Sequence, residues 1–93
     1  MTITVNNENP SSFIATLNQE FELQNEESII FNWTALDSFG NEINFEPKSS
    51  NISSSITITD SIPMVLNLTC KVEYKKANGD KFLLAENSYS SID

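Results

Sequence analysis

Between Met64 and Leu84 the chain reads as a strand, a tight turn and a returning strand, and this stretch limits the fold more than any other. Leu66, Leu68, Cys70, Val72 and Tyr74 alternate with Asn67, Thr69, Lys71, Glu73 and Lys75. A period of two over that length puts the first set on a face for a core and the second on a face for water. Ala77-Asn78-Gly79-Asp80 follows directly, and Asn-Gly is the pair that best accepts the positive φ angles of a type I′ hairpin turn. Phe82, Leu83 and Leu84 then supply the returning strand.

Elsewhere the same period recurs in shorter pieces. Thr2 to Val5 reads as a first strand with Ile3 and Val5 inward, and Asn6 to Ser12 as a turn. Phe13/Ala15/Leu17 and Phe21/Leu23 alternate over two pieces that are either one kinked strand or two strands joined at Asn18-Gln19. A helix over Ser12 to Leu23 is the rival reading, because Phe13, Leu17 and Phe21 also recur every fourth residue behind a serine cap. After the polar break Asn25-Glu26-Glu27-Ser28, a second clear strand sets Ile29, Phe31, Trp33 and Ala35 on one face and Ile30, Asn32, Thr34 and Leu36 on the other. Asp37 to Glu42 turns the chain, Ile43 to Phe45 is a short strand, and Pro47 to Ser55 reads as a loop. Ile56 and Ile58 face inward from a strand over Ser55 to Thr59, and Asp60 to Pro63 turns into the hairpin. Short strands with turns between them and no helical crossover predict an all-β sandwich of two antiparallel sheets with about seven strands.

Composition agrees with one such domain. The chain has 93 residues, enough for one modest core, and its nine aromatics exclude a disordered tail. Twelve asparagines and thirteen serines suit strands and turns, since both side chains compete with helical backbone hydrogen bonds. Cys70 is the only cysteine, so no internal disulfide can form, and its inward position makes it a small buried apolar residue.

Charge and residue types narrow the function classes. Residues 1–47 hold eight acids and no lysine or arginine, whereas 48–93 hold five of each sign, so the whole formal charge of −8 arises in the first half. Without arginine, and with this sign, the chain lacks the means to bind nucleic acid. No apolar run is long enough to span a membrane. The start, Met1-Thr2-Ile3-Thr4-Val5, lacks the basic-then-apolar order of a signal peptide, so the expectation is synthesis and folding in the cytoplasm. The absence of histidine removes an imidazole base and every His-containing metal or nucleophile arrangement. Gly40 and Gly79 both fall in turns and cradle no phosphate. Asp37-x-x-Gly40-Asn41-Glu42 lacks the alternating carboxylates of a calcium loop and reads as a plain turn. No cofactor, metal or enzymatic activity is expected.

The hairpin offers one contact surface. With a two-residue turn, Lys75 opposes Phe82 and Glu73 opposes Leu84, which sets Phe82, Leu84 and Lys75 together on the outer face of an edge strand, a docking patch. A longer turn or a bulge swaps the faces, covers Phe82 and Leu84 and leaves Leu83 outside, and of the two arrangements this one is preferred.

Phe31-x-Trp33, the strand Ser54-Ser55-Ile56-Thr57-Ile58-Thr59 and Leu66-x-Leu68-x-Cys70-x-Val72 before a hairpin together resemble the second half of an immunoglobulin-like domain. The resemblance spans residues 29 to 86 and is nearest in character to the modules of bacteriophage virions and bacterial surfaces, including polycystic-kidney-type repeats. It implies that Trp33 packs against Cys70 in the core. Two departures stand out: the partner cysteine on the second strand is missing, and Leu68 occupies the place of the tyrosine-corner residue. The resemblance implies a non-enzymatic virion accessory protein, a capsid decoration protein at the virion surface. Its expected partner is a major capsid or tail protein, with a host-surface or glycan contact as a further option. The alternatives are one module of a bacterial cell-surface adhesin, or a small acidic inhibitor.

Overall fold

The computed structural model describes residues 2–9, 11–20, 22–50, 52–61 and 65–90. Seven strands are present among them: β1 (Ile3–Asn9), β2 (Ser12–Leu17), β3 (Ser28–Leu36), β4 (Phe45–Ser49), β5 (Ser53–Ile58), β6 (Asn67–Lys75) and β7 (Lys81–Ser90). One sheet has the order β1-β2-β5-β4 and the other β3-β6-β7, with antiparallel pairing throughout. No helix occurs among the described residues. This is an all-β sandwich with the strand order of the seven-stranded constant-type immunoglobulin arrangement.

Alternation is what builds the two inner faces. Leu68, Cys70 and Val72 on β6 are buried, as are Ile29 and Ala35 on β3, and their polar neighbours face out. From the other sheet Ile3, Phe13, Ala15, Leu17, Ile56 and Ile58 close over them. The core forms two layers along the long axis. One contains Leu17, Ile29, Cys70 and Val72, and the other Phe13, Ile56, Leu66 and Leu68, while Trp33 packs against both. In the second layer the rings of Phe13 and Tyr89, one from each sheet, lie 5.1 Å apart at a tilt of 59°.

Four residues fix how the sheets are aligned. Ala15 pairs with Ser54 in one sheet and Trp33 with Cys70 in the other. Trp33 Nε1 donates to Ser54 Oγ at 2.9 Å, which brings the two pairs to the same level of the sandwich. Ala15 and Cys70, one from each sheet, belong to the same buried cluster. Both residues are fully buried. Burial pushes the Cys70 thiol up to about 12. Leu68 is buried as well.

The structure decides between the open readings and departs from several expectations; of the strand expected over Ile43 to Phe45, only Phe45 lies in one. Of the two readings of Ser12 to Leu23, the strand over Phe13 to Leu17 is found and the rival helix is not, because Ser12–Leu17 pairs on both sides, with β1 and β5. Leu23 lies outside any strand and packs against the core, while Phe21 falls outside the described residues. β1 extends through Asn6 to Asn9 across a bulge, where Asn7 Nδ2 donates to the carbonyls of Asn9 and Ser12 at 2.6 and 3.1 Å. Part of the expected Pro47 to Ser55 loop is instead β4 and the start of β5. Pro47 is compatible because β4 is an edge strand whose outer side needs no N–H. Ile62, Pro63 and Met64, at the expected turn and hairpin start, also lie outside the described residues.

At the hairpin the chain takes the longer turn and the bulge of the preferred sequence arrangement, with Leu84 inward and Leu83 outside, but Phe82, expected to be covered, is exposed. Lys76 N donates to Asp80 O at 2.8 Å and Gly79 N to Lys76 O at 2.9 Å, which makes a three-residue loop, with Gly79 at φ +95°. A type I turn followed by a left-handed glycine has this pattern, and it shifts the register by one relative to a two-residue turn. Lys75 now opposes Lys81, Tyr74 opposes Phe82 and Glu73 opposes Leu83. A bulge then follows, so that Val72 opposes Ala85 and Leu84 is the extra residue.

Candidate docking surface

One end of the sandwich gathers the described residues 18–20 and 22–27 between β2 and β3, Ile52 before β5, and the β6–β7 loop. They meet because Leu17, Ile29 and Tyr74 belong to one layer of the core, and Leu17 N donates to Ile52 O at 2.9 Å. Four of the five lysines, Lys71, Lys75, Lys76 and Lys81, lie on the β6–β7 hairpin. The long loop opposite carries Glu20, Glu22, Glu26 and Glu27.

One bond pins that loop to the hairpin end and a second closes the loop on itself. The Tyr74 hydroxyl donates to the Glu27 carboxylate, and Gln24 N donates to Glu27 Oε1 at 2.7 Å. The preceding residue, Glu26, takes a left-handed φ of 68°, unusual for a side chain of this size, and so folds the loop back. The Tyr74 bond, followed by the Gln24 N–H, holds the Glu27 carboxyl below the usual carboxylate range, and the same bond raises the Tyr74 hydroxyl.

At the start of β7, apolar surface is left uncovered. Phe82 is 50% exposed and Leu83 60% exposed. Phe82 shares the inner face with Tyr74 at the very end of the sheet, where little of the opposite sheet lies over it. Leu83 lies on the outer face beside Glu73. The two side chains thus straddle the free edge of β7, and the Lys76 ammonium sits 5.5 Å from the centre of the Phe82 ring. Lys75 is half-buried at the end of β6, and Leu84 turns inward and packs against the core. Of the expected docking residues, Phe82 is on the exposed rim, Lys75 flanks it, and Leu83 takes the exposed position beside Phe82 that the two-residue turn would have given to Leu84. The bulge at Leu84 produces that exchange. Trp33, Cys70 and Leu68 are brought together in the core, at a distance from this rim.

The other end carries a second exposed aromatic, Phe39, at 88% exposure. It rides on the turn after β3, which Asp37 organises: Asp37 Oδ1 accepts from Phe39 N and Asn41 N, both at 2.9 Å. These bonds, that of Asn41 first, lower the Asp37 carboxyl from its ordinary value. The carboxylate is thus occupied by its own turn. No group of three or more metal-ligating side chains occurs among the described residues, and no helix there is long and apolar enough to cross a membrane.

Comparison with protein-family models, with curated proteins and with solved structures finds no match for this chain.

Proposed function

We propose that this chain is a non-enzymatic docking module, an accessory structural protein carried on a larger particle, and in its most concrete form a bacteriophage capsid decoration protein. The observation that carries the reading is the exposed Phe82–Leu83 rim on a lysine-bearing hairpin, in a chain whose net charge is −8. Large apolar side chains exposed beside a sheet edge are a contact surface in search of a cover. Flanking lysines would orient the contact on an acidic partner surface and add little to affinity when exposed. The virion setting rests on fold-level analogy: the strand order and the Trp33/Cys70 pair resemble the immunoglobulin-like modules that such particles display. The test is high-salt sedimentation of lysate from a culture that naturally makes the chain, with mass spectrometry of the particle fraction. Many copies in the particle fraction support the reading, and a wholly soluble chain refutes it.

A second reading has its own observation. β1 starts at the hairpin end, where Ile3 pairs with Leu17, and β7 finishes at the opposite end, where Ser90 pairs with Asn67. A module whose chain enters at one end of a 42 Å long axis and leaves at the other can be strung head to tail, as in an adhesin. Sequence repeats on both sides of this segment in the full reading frame would favour that reading over the first.

A further inference from the structure

The margins of the two sheets are guarded unequally. β4 is only five residues long and contains Pro47 and Lys48. β1 is bulged and lies against β7, where Asn87 Nδ2 donates to Ile3 O at 2.9 Å. β7 is bulged and carries Lys81 and Glu86. Charge, proline and bulges are the usual means of keeping a sheet edge from pairing with another chain. β3 has none of them. It is an edge strand of nine residues, Ser-Ile-Ile-Phe-Asn-Trp-Thr-Ala-Leu, in unbroken register with β6.

Its free side can be located from its one covered end. Ile43 N donates to Ala35 O at 2.9 Å and Asp37 N to Asn41 O at 3.0 Å, so the odd-numbered residues there turn their backbone groups away from β6. Alternation along an antiparallel strand aims the N–H and C=O of Ile29, Phe31 and Trp33 the same way. No described residue makes a hydrogen bond to those outward groups. Beside them, Phe31 and Trp33 stay half-buried at the flank between β3 and β4, together with Phe45 of β4. A chain laid along β3 would find backbone partners on one side and an aromatic shelf below.

Charge selects the occupant. Glu20, Glu22, Glu26 and Glu27 precede β3 and outnumber Lys75, Lys76 and Lys81, which the hairpin brings to that end, and Asp37 and Glu42 follow β3. A second copy paired antiparallel would set Glu26 and Glu27 against the partner copy's acidic turn, a like-charge meeting at both ends. We propose that the open edge of β3 is a strand-addition site for an extended segment of a partner protein, apolar at alternate positions and basic at both ends. The site is separate from the Phe82–Leu83 rim and stands or falls without it.

The test is amide hydrogen exchange by NMR on the full chain, with the peptide Lys-Lys-Val-Thr-Val-Thr-Val-Lys-Lys and a control with glutamates in place of its lysines. The basic peptide slows exchange at Ile29, Phe31 and Trp33 and leaves the neighbouring even-numbered amides, already bonded to β6, unchanged. The acidic control binds at least about tenfold more weakly, and Thr34→Lys, an exposed change, weakens the basic peptide by about tenfold with an unchanged circular dichroism spectrum; a factor of ten corresponds to about 1.4 kcal/mol. Equal binding of the two peptides, or no slowing at β3, overturns the proposal. So does a peptide-free dimer with slowed β3 amides, which would make a second copy the occupant. Loss of particle binding in Phe82→Ser with β3 still unprotected would overturn this inference alone and leave the hairpin reading in place.

Discussion

Trp33 of β3 and Ser54 of β5 are joined through the middle of the sandwich, indole nitrogen to hydroxyl oxygen, at 2.9 Å. Ser54 is 1% exposed, and its Oγ lies 2.7 Å from Ser49 Oγ on the neighbouring strand. The hydroxyl can therefore accept from Trp33 while donating to Ser49. Removing it strands a part-buried indole N–H, whereas removing both partners leaves no orphan. Ser54→Ala is expected to cost about 1–3 kcal/mol in urea denaturation. Combined with Trp33→Phe, it should cost less than the two single changes added together.

Ala15 and Cys70, on opposite sheets, lie in one buried cluster. Ala15→Cys is expected to form a disulfide with Cys70 on mild oxidation, and to stabilise the fold by about 2–4 kcal/mol through the long loop it closes. Thiol titration before and after oxidation checks it. In the unaltered protein the Cys70 thiol, buried and raised to about 12, should react with thiol reagents only at the rate of unfolding. Rapid reaction under native conditions would show that the two sheets do not close over it.

The pH dependence follows from Glu27, Asp37 and Tyr74. Glu27 and Asp37 have folded-state values lowered by the hydrogen bonds they accept. In the acid range the unfolded chain therefore binds more protons than the folded one. Their contribution is present above the ordinary carboxylate range, about pH 4, and is lost as pH falls through the lowered values. Tyr74 is raised, so its contribution is present below about pH 10 and is lost as pH climbs through the raised value. Glu27→Gln should flatten part of both limbs in thermal melts across pH, because it removes the carboxylate and the partner of the tyrosine together.

Phe82→Ser and Leu83→Ser change side chains that are half or more exposed. Each should shift stability by no more than about 0.5 kcal/mol. Leu68→Ala, in the core, should cost about 2–5 kcal/mol. Chemical denaturation separates the two behaviours. Large destabilisation by the hairpin changes would mean that these residues serve the fold and not a contact.

Where residue type differs between the two faces of a strand, the fold was legible in the sequence. β6 alternates because it has one face in the core and one outside, and β3 follows the same period at Ile29 and Ala35, broken by the half-buried Ile30 and Leu36 on its outer face. β4 was not legible, since Glu46, Pro47, Lys48 and Ser49 are all exposed and an edge strand without a buried face leaves no period. The same holds for Asn6 to Asn9. Phe13 and Leu17 fit a helical period and a strand period equally, and only their pairing partners decide between them. At the hairpin, the apolar residues were visible but their faces were not, because register depends on one glycine conformation and one bulge. The Trp33–Ser54 bond joins residues 21 apart on different sheets, and no local pattern announces it.

The claim that the Phe82–Leu83 rim docks this module on a larger particle is tested most directly by high-salt sedimentation of natural lysates carrying either the unaltered chain or the Phe82→Ser, Leu83→Ser double variant. The account predicts many copies of the unaltered chain in the particle fraction, and a folded double variant left in the supernatant. A double variant that still pellets with the particles, or an unaltered chain that never does, contradicts it.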